Sequence, residues 1–186
     1  MSYFPAFIKF DNINLLIIGG GNIASEKVGH LLDFTSNITV LSPKLSKEME
    51  NYIKNNNIKY IEKYYHENDI DGFDIVIIAV DDIKLQAKIY KEAKRKHILC
   101  NAVDSVDYCD FIFPSYIKKG DLTIAISTSG ASPAVAKHLR IFLEKLIPNS
   151  IVDFLKEMKL LRKTMPKGKE RMEFLDKKAR EYFEKI

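Results

Sequence analysis

The chain has 186 residues, 46% hydrophobic and 29% charged, with a formal net charge of +4; this is the profile of a globular protein with room for one good core or two small ones. No apolar run approaches the roughly 18 residues of a membrane span, and MSYFPAFIKFD lacks a charged segment leading into an apolar one, so neither a membrane protein nor a secreted one is expected. Two cysteines, Cys100 and Cys109, make no disulfide framework and no ligand spacing, and the reducing cytoplasm is the expected compartment.

In chain order, NLLIIGG (14–20) is a continuous apolar run ended by glycine, which predicts a strand buried on both faces. ASEKVGHLLDF (24–34) then carries Val28, Leu31 and Leu32 in a helical stripe. NITVLSP (37–43) predicts a second strand, β-branched and stopped by Pro43. A helix over 44–57 and a third strand over 58–65 follow, then the strand FDIVIIAVDD (73–82). Residues 83–97 predict an amphipathic helix capped by Asp82, and ILCNAVD (98–104) another strand. Strands alternating with helices of about 10–15 residues mean βαβ units and a parallel sheet, here over about residues 10–113. FIFPSYIKKGDLTIAIST (111–128) reads as a strand pair around a Lys-Lys-Gly-Asp turn. After Ile126 the texture is helical. Ser132 and Pro133 suit the N-cap and first position of a helix ending near Pro148. A second helix starts in NSIVDFLKEMKLLRKTM, with Ser150 and Asp153 spaced as in a capping box, and KERMEFLDKKAREYFEKI is a third.

Charge divides along the chain. Residues 148–186 hold 11 Lys/Arg and 7 Asp/Glu, residues 114–147 hold 5 and 2, and residues 1–113 therefore carry −3. A basic second part attracts a polyanion. Nucleic acid is one candidate and a multi-carboxylate small molecule another; no stripe of Arg interleaved with aromatics singles out nucleic acid.

Gly19, Gly21 and Ala24 fit G-x-G-x-x-A, and the motif follows a predicted strand and opens a helix, the context that gives it meaning. Gly19 makes the turn, Gly21 lets backbone approach a pyrophosphate at the helix N-terminus, and Ala24 permits close helix–strand packing. A dinucleotide cofactor follows. The ribose-binding acid is missing: the second strand ends in TVLSPK, where Ser42 and Lys44 would even suit a 2′-phosphate, so these residues leave NAD and NADP open. Asp104 ends a strand where ligands sit in such sheets and could take or give a proton; a turn aspartate is the plain alternative. Asp81 holds the equivalent place one strand earlier. Ser127, Thr128, Ser129 and Gly130 precede a helix N-terminus, which suits a carboxylate or phosphate as well as a plain capped loop. His30, His66, His97 and His138 make no ligand spacing with each other or with a cysteine, so no protein-built metal site is expected.

The segments FPAFIKFDN, LLIIGGGNIASEK, VLSPK, IIAVDD, CNAVD, CDFIFPS and LTIAISTSGASPAVAKHLR, in this order, resemble the N-terminal module of siroheme synthases, the precorrin-2 dehydrogenase and sirohydrochlorin ferrochelatase family. The resemblance is close over about residues 1–147 and looser beyond. It implies an α/β architecture: a Rossmann-like NAD-binding domain (1–113), a dimerisation region (114–147) through which two chains interlock, and a helical C-terminal domain (148–186). It implies that NAD⁺ accepts a hydride from precorrin-2, giving sirohydrochlorin, with Asp104 as proton acceptor. The expected cofactor contacts are Gly19, Gly21, Asn22 and Ile23 in the first turn, Ser42, Pro43 and Lys44 after the second strand, and Asp81, Asn101 and Val103 beyond it. The substrate is expected at Ser127–Gly130, where Ser129 stands in place of one of the family's glycines.

Some relatives also insert Fe²⁺, and chelation of Fe²⁺ or Co²⁺ stays open here. No methyltransferase domain follows, so methylation of the precursor is expected from another protein. The implied partners are the tetrapyrrole and a second copy of the chain, with neither nucleic acid nor membrane. A reading of another class is a dinucleotide-sensing module whose basic helices bind a partner. Asp104 discriminates, because a sensor needs no acid at a reacting position.

Overall fold

Continuous apolar runs build the centre of the fold. In the computed structural model, which describes residues 3–185, β1 (Leu15–Ile18), β2 (Ile38–Leu41) and β4 (Ile75–Ile78) are buried at every position, as strands covered on both faces must be. With β3 (Lys59–Ile61) and β5 (Leu99–Ala102) they form a five-stranded sheet of order β3-β2-β1-β4-β5. Every pairing is parallel, with Leu15 level with Ile38 and Ile75, and Ile75 level with Leu99. The crossovers carry α1 (Asn22–Leu31), α2 (Lys47–Asn56) and α3 (Ile83–Arg95). Asp82 caps α3 by accepting from the backbone N–H groups of Lys84 at 2.8 Å and Leu85 at 3.2 Å, as its position before the apolar stripe predicts. Beyond β5 the chain turns back along it. The N–H of Asp110 donates to Cys100 O at 2.7 Å, and its carboxylate accepts from the Cys100 N–H at 3.1 Å, which covers that edge of the sheet.

Residues 3–112 form one compact unit and 113–185 another. In the second, β6 (Ser115–Lys119) and β7 (Leu122–Ile126) make an antiparallel hairpin. Three helices follow: α4 (Pro133–Leu146), α5 (Ile151–Thr164) and α6 (Lys169–Phe183). Ser132 caps α4 by accepting from the Val135 N–H at 3.2 Å, with Pro133 in the first turn. At the other end the Lys119 ammonium donates to Ile147 O at 2.6 Å, a cation at the negative end of a helix. Phe154 of α5 stacks on Tyr182 of α6 with ring centroids 4.1 Å apart.

The capping box expected at Ser150 and Asp153 is not formed. Ser150 is itself helical, and its hydroxyl shares a hydrogen bond with that of Tyr182. In the first turn the N–H groups of Ile151 and Val152 donate to Pro148 O and Asn149 O, both at 3.2 Å. A tight backbone turn thus does the work of a cap, and Asp153 pairs with Lys156. On α4, Val135, Leu139, Phe142 and Leu146 are exposed at 56%, 41%, 58% and 60%. Their spacing places them in one stripe along the helix.

The sheet core holds one buried carboxylate. Glu92 of α3 is 1% exposed. It accepts from the Tyr65 hydroxyl and from the Asn68 N–H at 2.8 Å, and lies 3.1 Å from the Lys96 ammonium. Burial alone would raise its pKa, but those three partners hold the carboxyl below the ordinary carboxylate range. The stability it contributes is therefore complete above the ordinary value and is lost as pH falls through the lowered one. Glu92→Gln is expected to cost about 1.5–3 kcal/mol at neutral pH. In urea titrations the gap between variant and wild type should narrow between pH 7 and pH 3, and a gap that stays constant would show that the carboxylate is not the source.

Candidate functional site

The strand order places a switch point between β1 and β4, whose chains leave the sheet toward opposite sides; ligands bind in that crevice. Three consecutive glycines fill it. Gly19 has φ +124°, and a Cβ there would lie 2.1 Å from Ala79 O. A Cβ on Gly20 would lie 2.3 Å from Lys44 O. At Gly21 nothing stands within 4 Å of the Cβ position, so this glycine opens onto the cleft. It is also the N-cap of α1, with no side chain closing the helix end. The first-turn N–H groups, those of Asn22 and Ile23 among them, are thus available to an anion. Ala24 is fully buried behind them, as close helix–strand packing requires.

Around this turn lies a cleft of ≈ 890 Å³, within the usual range for small-molecule and cofactor sites. Among the residues expected to touch a cofactor, Gly19, Gly21, Asn22, Ile23, Ser42, Pro43, Lys44 and Asp81 all line it. Gly20, Tyr64 and Tyr65 line it too, and sequence reasoning passed over them. The signals were present: a third glycine in the run, and two tyrosines just past β3. The Ser42 hydroxyl donates to Lys44 O at 2.7 Å and so shapes its own loop. That loop is tied to the glycine turn, because the Ser46 N–H donates to Gly20 O at 2.7 Å. Ser46 in turn caps α2 through the Met49 N–H and shares a hydrogen bond with Ser25 of α1. Burial and the bond to Glu92 push the Tyr65 hydroxyl well above its ordinary range, so it remains a donor at neutral pH.

Asn101, Val103 and Asp104 do not line this cleft. Asn101 is 5% exposed, and its amide donates to Phe111 O at 2.8 Å and toward Cys109 Sγ at 3.4 Å. It fastens the returning segment to β5. The Val103 N–H donates to Ile78 O at 2.9 Å, as the Ala79 N–H does to Ile18 O at 2.8 Å. Gly19, Ala79 and Val103 therefore form one row just past the strand ends. The Asp104 turn begins two strand spacings, about 10 Å, from Gly19.

Asp104 is exposed and has φ +61°, the left-handed region that Asp and Asn tolerate better than most residues. Its turn is closed by the Ser105 N–H donating to Ala102 O at 3.3 Å. The Cys109 thiol lies 3.1 Å from the same oxygen and 3.3 Å from Ser105 O. Burial raises the pKa of this thiol, so it is an S–H donor at neutral pH. The result is an exposed carboxyl group on a backbone held from behind.

Ser127, Thr128, Ser129 and Gly130 belong to the other unit, between β7 and α4. The Thr128 hydroxyl donates to Ser132 O at 3.1 Å and lies 3.2 Å from the Ser132 N–H, while the Ser129 N–H donates to Ser127 Oγ at 3.0 Å. Ser129 has φ +51°, a conformation that suits glycine better than serine.

The residues of the first unit fit a dinucleotide. The observation is the open Cβ position at Gly21 in front of an uncapped helix end, where a pyrophosphate meets backbone N–H groups without steric hindrance. Among the described residues, no three His, Cys, Asp or Glu side chains are grouped as metal ligands, and no helix is long and apolar enough to cross a membrane.

Comparison with known proteins agrees with this geometry. The NAD(P)-binding family model matches residues 6–115, and the model of the sirohaem biosynthesis protein central region matches residues 119–146. The siroheme synthase of Pseudoalteromonas translucida (strain TAC 125) is 36% identical over 151 residues, 81% of this chain and 32% of that protein. The siroheme synthase of Methylococcus capsulatus (strain ATCC 33009 / NCIMB 11132 / Bath) is 37% identical over 149 residues, 80% of this chain and 31% of its own. The chain thus matches about a third of the length of these curated relatives. Among solved structures, SirC, precorrin-2 dehydrogenase, shares the fold with a TM-score of 0.76 at 24% identity, over 94% of this chain and 88% of that one. With a glycine cradle at the switch point and a family match over more than half its length, the chain belongs to the NAD(P)-binding family found in sirohaem biosynthesis proteins.

Proposed function

We propose that this chain oxidises precorrin-2 to sirohydrochlorin with NAD⁺, as a cytoplasmic homodimer. The observation that carries the reading is an exposed carboxyl group, Asp104, on a fixed turn two strands from a dinucleotide cradle. The names of the siroheme synthases and of the solved precorrin-2 dehydrogenase support the choice of substrate. When bound, NAD⁺ supplies the hydride acceptor. The chain's own residues do the rest. The N–H groups of Asn22 and Ile23 hold the pyrophosphate at the α1 N-terminus. Asp81 and the Ser42–Lys44 loop border the nucleotide, and Asp104 takes the proton that leaves with the hydride. Ser127–Gly130 and the Lys/Arg excess of residues 114–186 bind the carboxylates of the tetrapyrrole. In this reading residues 1–113 bind the cofactor, 114–147 join two chains and 148–186 form a helical domain.

Anaerobic incubation with precorrin-2 and NAD⁺ should produce sirohydrochlorin absorbance; none with either NAD⁺ or NADP⁺ would end this reading. Asp104→Asn keeps a residue at ease with φ +61°. It should lower kcat by about 100-fold or more while NAD⁺ binding stays within about twofold. Unchanged turnover would remove Asp104 from the chemistry.

Lys44 is the one Lys or Arg among the described residues lining the cleft, and it decides the nucleotide test. Titration with the reduced nucleotides should show NADH bound at least as tightly as NADPH, and Lys44→Ala should leave that order unchanged. Tighter NADPH binding, lost in Lys44→Ala, would show that Lys44 reads a 2′-phosphate.

The exposed stripe on α4 supports the dimer, since it is apolar at four successive turn positions, Val135, Leu139, Phe142 and Leu146. Light scattering at micromolar concentration should give twice the mass of the chain. Phe142→Glu should halve it, and a monomeric wild type would overturn the assignment.

A further inference from the structure

The cofactor cleft and the Asp104 turn share one buried side chain. Gln86, in the first turn of α3, is 4% exposed. Its Nε2 donates to Val80 O at 2.7 Å, and its Oε1 accepts from the Ser105 hydroxyl at 2.5 Å. The orientation of the amide follows from chemistry, because the Val80 carbonyl can only accept and must face the NH₂ end. Each end thus holds a different loop. Val80 lines the cleft beside Asp81, and Ser105 follows Asp104 directly. On the inner face of α3 Gln86 sits in line with Ile89 and Ala93, both fully buried, where an apolar residue would satisfy packing as well. A buried amide there is warranted by the two loops it joins.

We propose that Gln86 is a positioning residue that sets the Asp104 turn in register with the Val80–Asp81 lip of the cofactor cleft. The chemical role of Asp104 rests on the reading of the reaction above; the tie itself does not. Two variants separate its ends. Ser105→Ala cuts only the link to the Asp104 turn. Gln86→Leu, nearly the same size, cuts both links.

The experiment measures kcat, the KM for precorrin-2, NAD⁺ affinity and thermal midpoint for both variants and their double mutant. Ser105→Ala should lower kcat about 10- to 100-fold, as a displaced catalytic group does, with NAD⁺ affinity and KM within about twofold. Gln86→Leu should lower kcat at least as far and also weaken NAD⁺ binding several-fold. The double mutant should be no slower than Gln86→Leu alone, since the link that Ser105→Ala removes is already gone in Gln86→Leu. Ser105→Thr, which keeps the hydroxyl, should restore turnover. A Gln86→Leu enzyme with kcat within twofold of wild type would overturn the proposal, as would losses in the two single variants that simply multiply. A wild type that binds NAD⁺ without oxidising precorrin-2 would fail the reading of the reaction instead. The tie is then judged by nucleotide titration alone, where Gln86→Leu must weaken binding and Ser105→Ala must not.

Discussion

The site depends on the approach of three backbones at Gly19 and Gly20. Side chains on these two residues would meet carbonyl oxygens of Ala79 and Lys44 at 2.1 and 2.3 Å, distances no Cβ adopts. Because no side chain is there, the end of β1 can sit between the end of β4 and the loop after β2. Three consequences follow. α1 starts at the floor of the crevice, so its N-terminal dipole faces the cleft. The Gly20 carbonyl reaches Ser46 and couples α1 to the start of α2. And the ends of β1, β4 and β5 come level, which sets the distance between the cradle and Asp104. Gly21 differs in kind: it is spared by no neighbour, and its lack of a side chain serves what enters the cleft.

What could be read from the sequence was whatever is settled within a few residues. The apolar runs of β1 and β4, the caps at Asp82 and Ser132, and the glycine motif with its flanking strand and helix all carry local signatures. The sheet, its parallel sense and the position of Asp104 after β5 follow from those. Other features escaped because their partners are remote in sequence. Glu92 looks like a surface residue of an amphipathic helix until Tyr65 and Asn68 are brought to it. Asn101 has the look of a cofactor contact, yet its amide is consumed by Phe111 and Cys109. At Ser150 the spacing of a capping box was genuine, but the residue is itself helical and its hydroxyl is shared with Tyr182 of the last helix.

The Asp104 turn separates two demands that conflict in one residue. A group that exchanges protons needs solvent or substrate access, whereas accurate placement needs burial. Here the carboxyl group is outside and the fixing atoms are inside. The Ala102 carbonyl is held by the Ser105 N–H and the Cys109 thiol, and Ser105 by the Gln86 amide. Cys100 beneath them has its thiol pushed up to about 12 by burial, so this part of the sheet presents protonated sulfur and no thiolate next to the carboxylate of Asp110.

The strand order also determines how the sheet can be assembled as the chain lengthens. β1 is both first in sequence and central in the sheet. β2 joins one of its sides and β3 extends that side; β4 then joins the other side, β5 extends it, and the Asp110 segment closes the last position. Each new strand docks on an existing rim, and none has to be inserted between two that are already paired. A chain emerging from its N-terminus can therefore grow outward from a single apolar seed, Leu15–Ile18, without undoing any hydrogen bond already made.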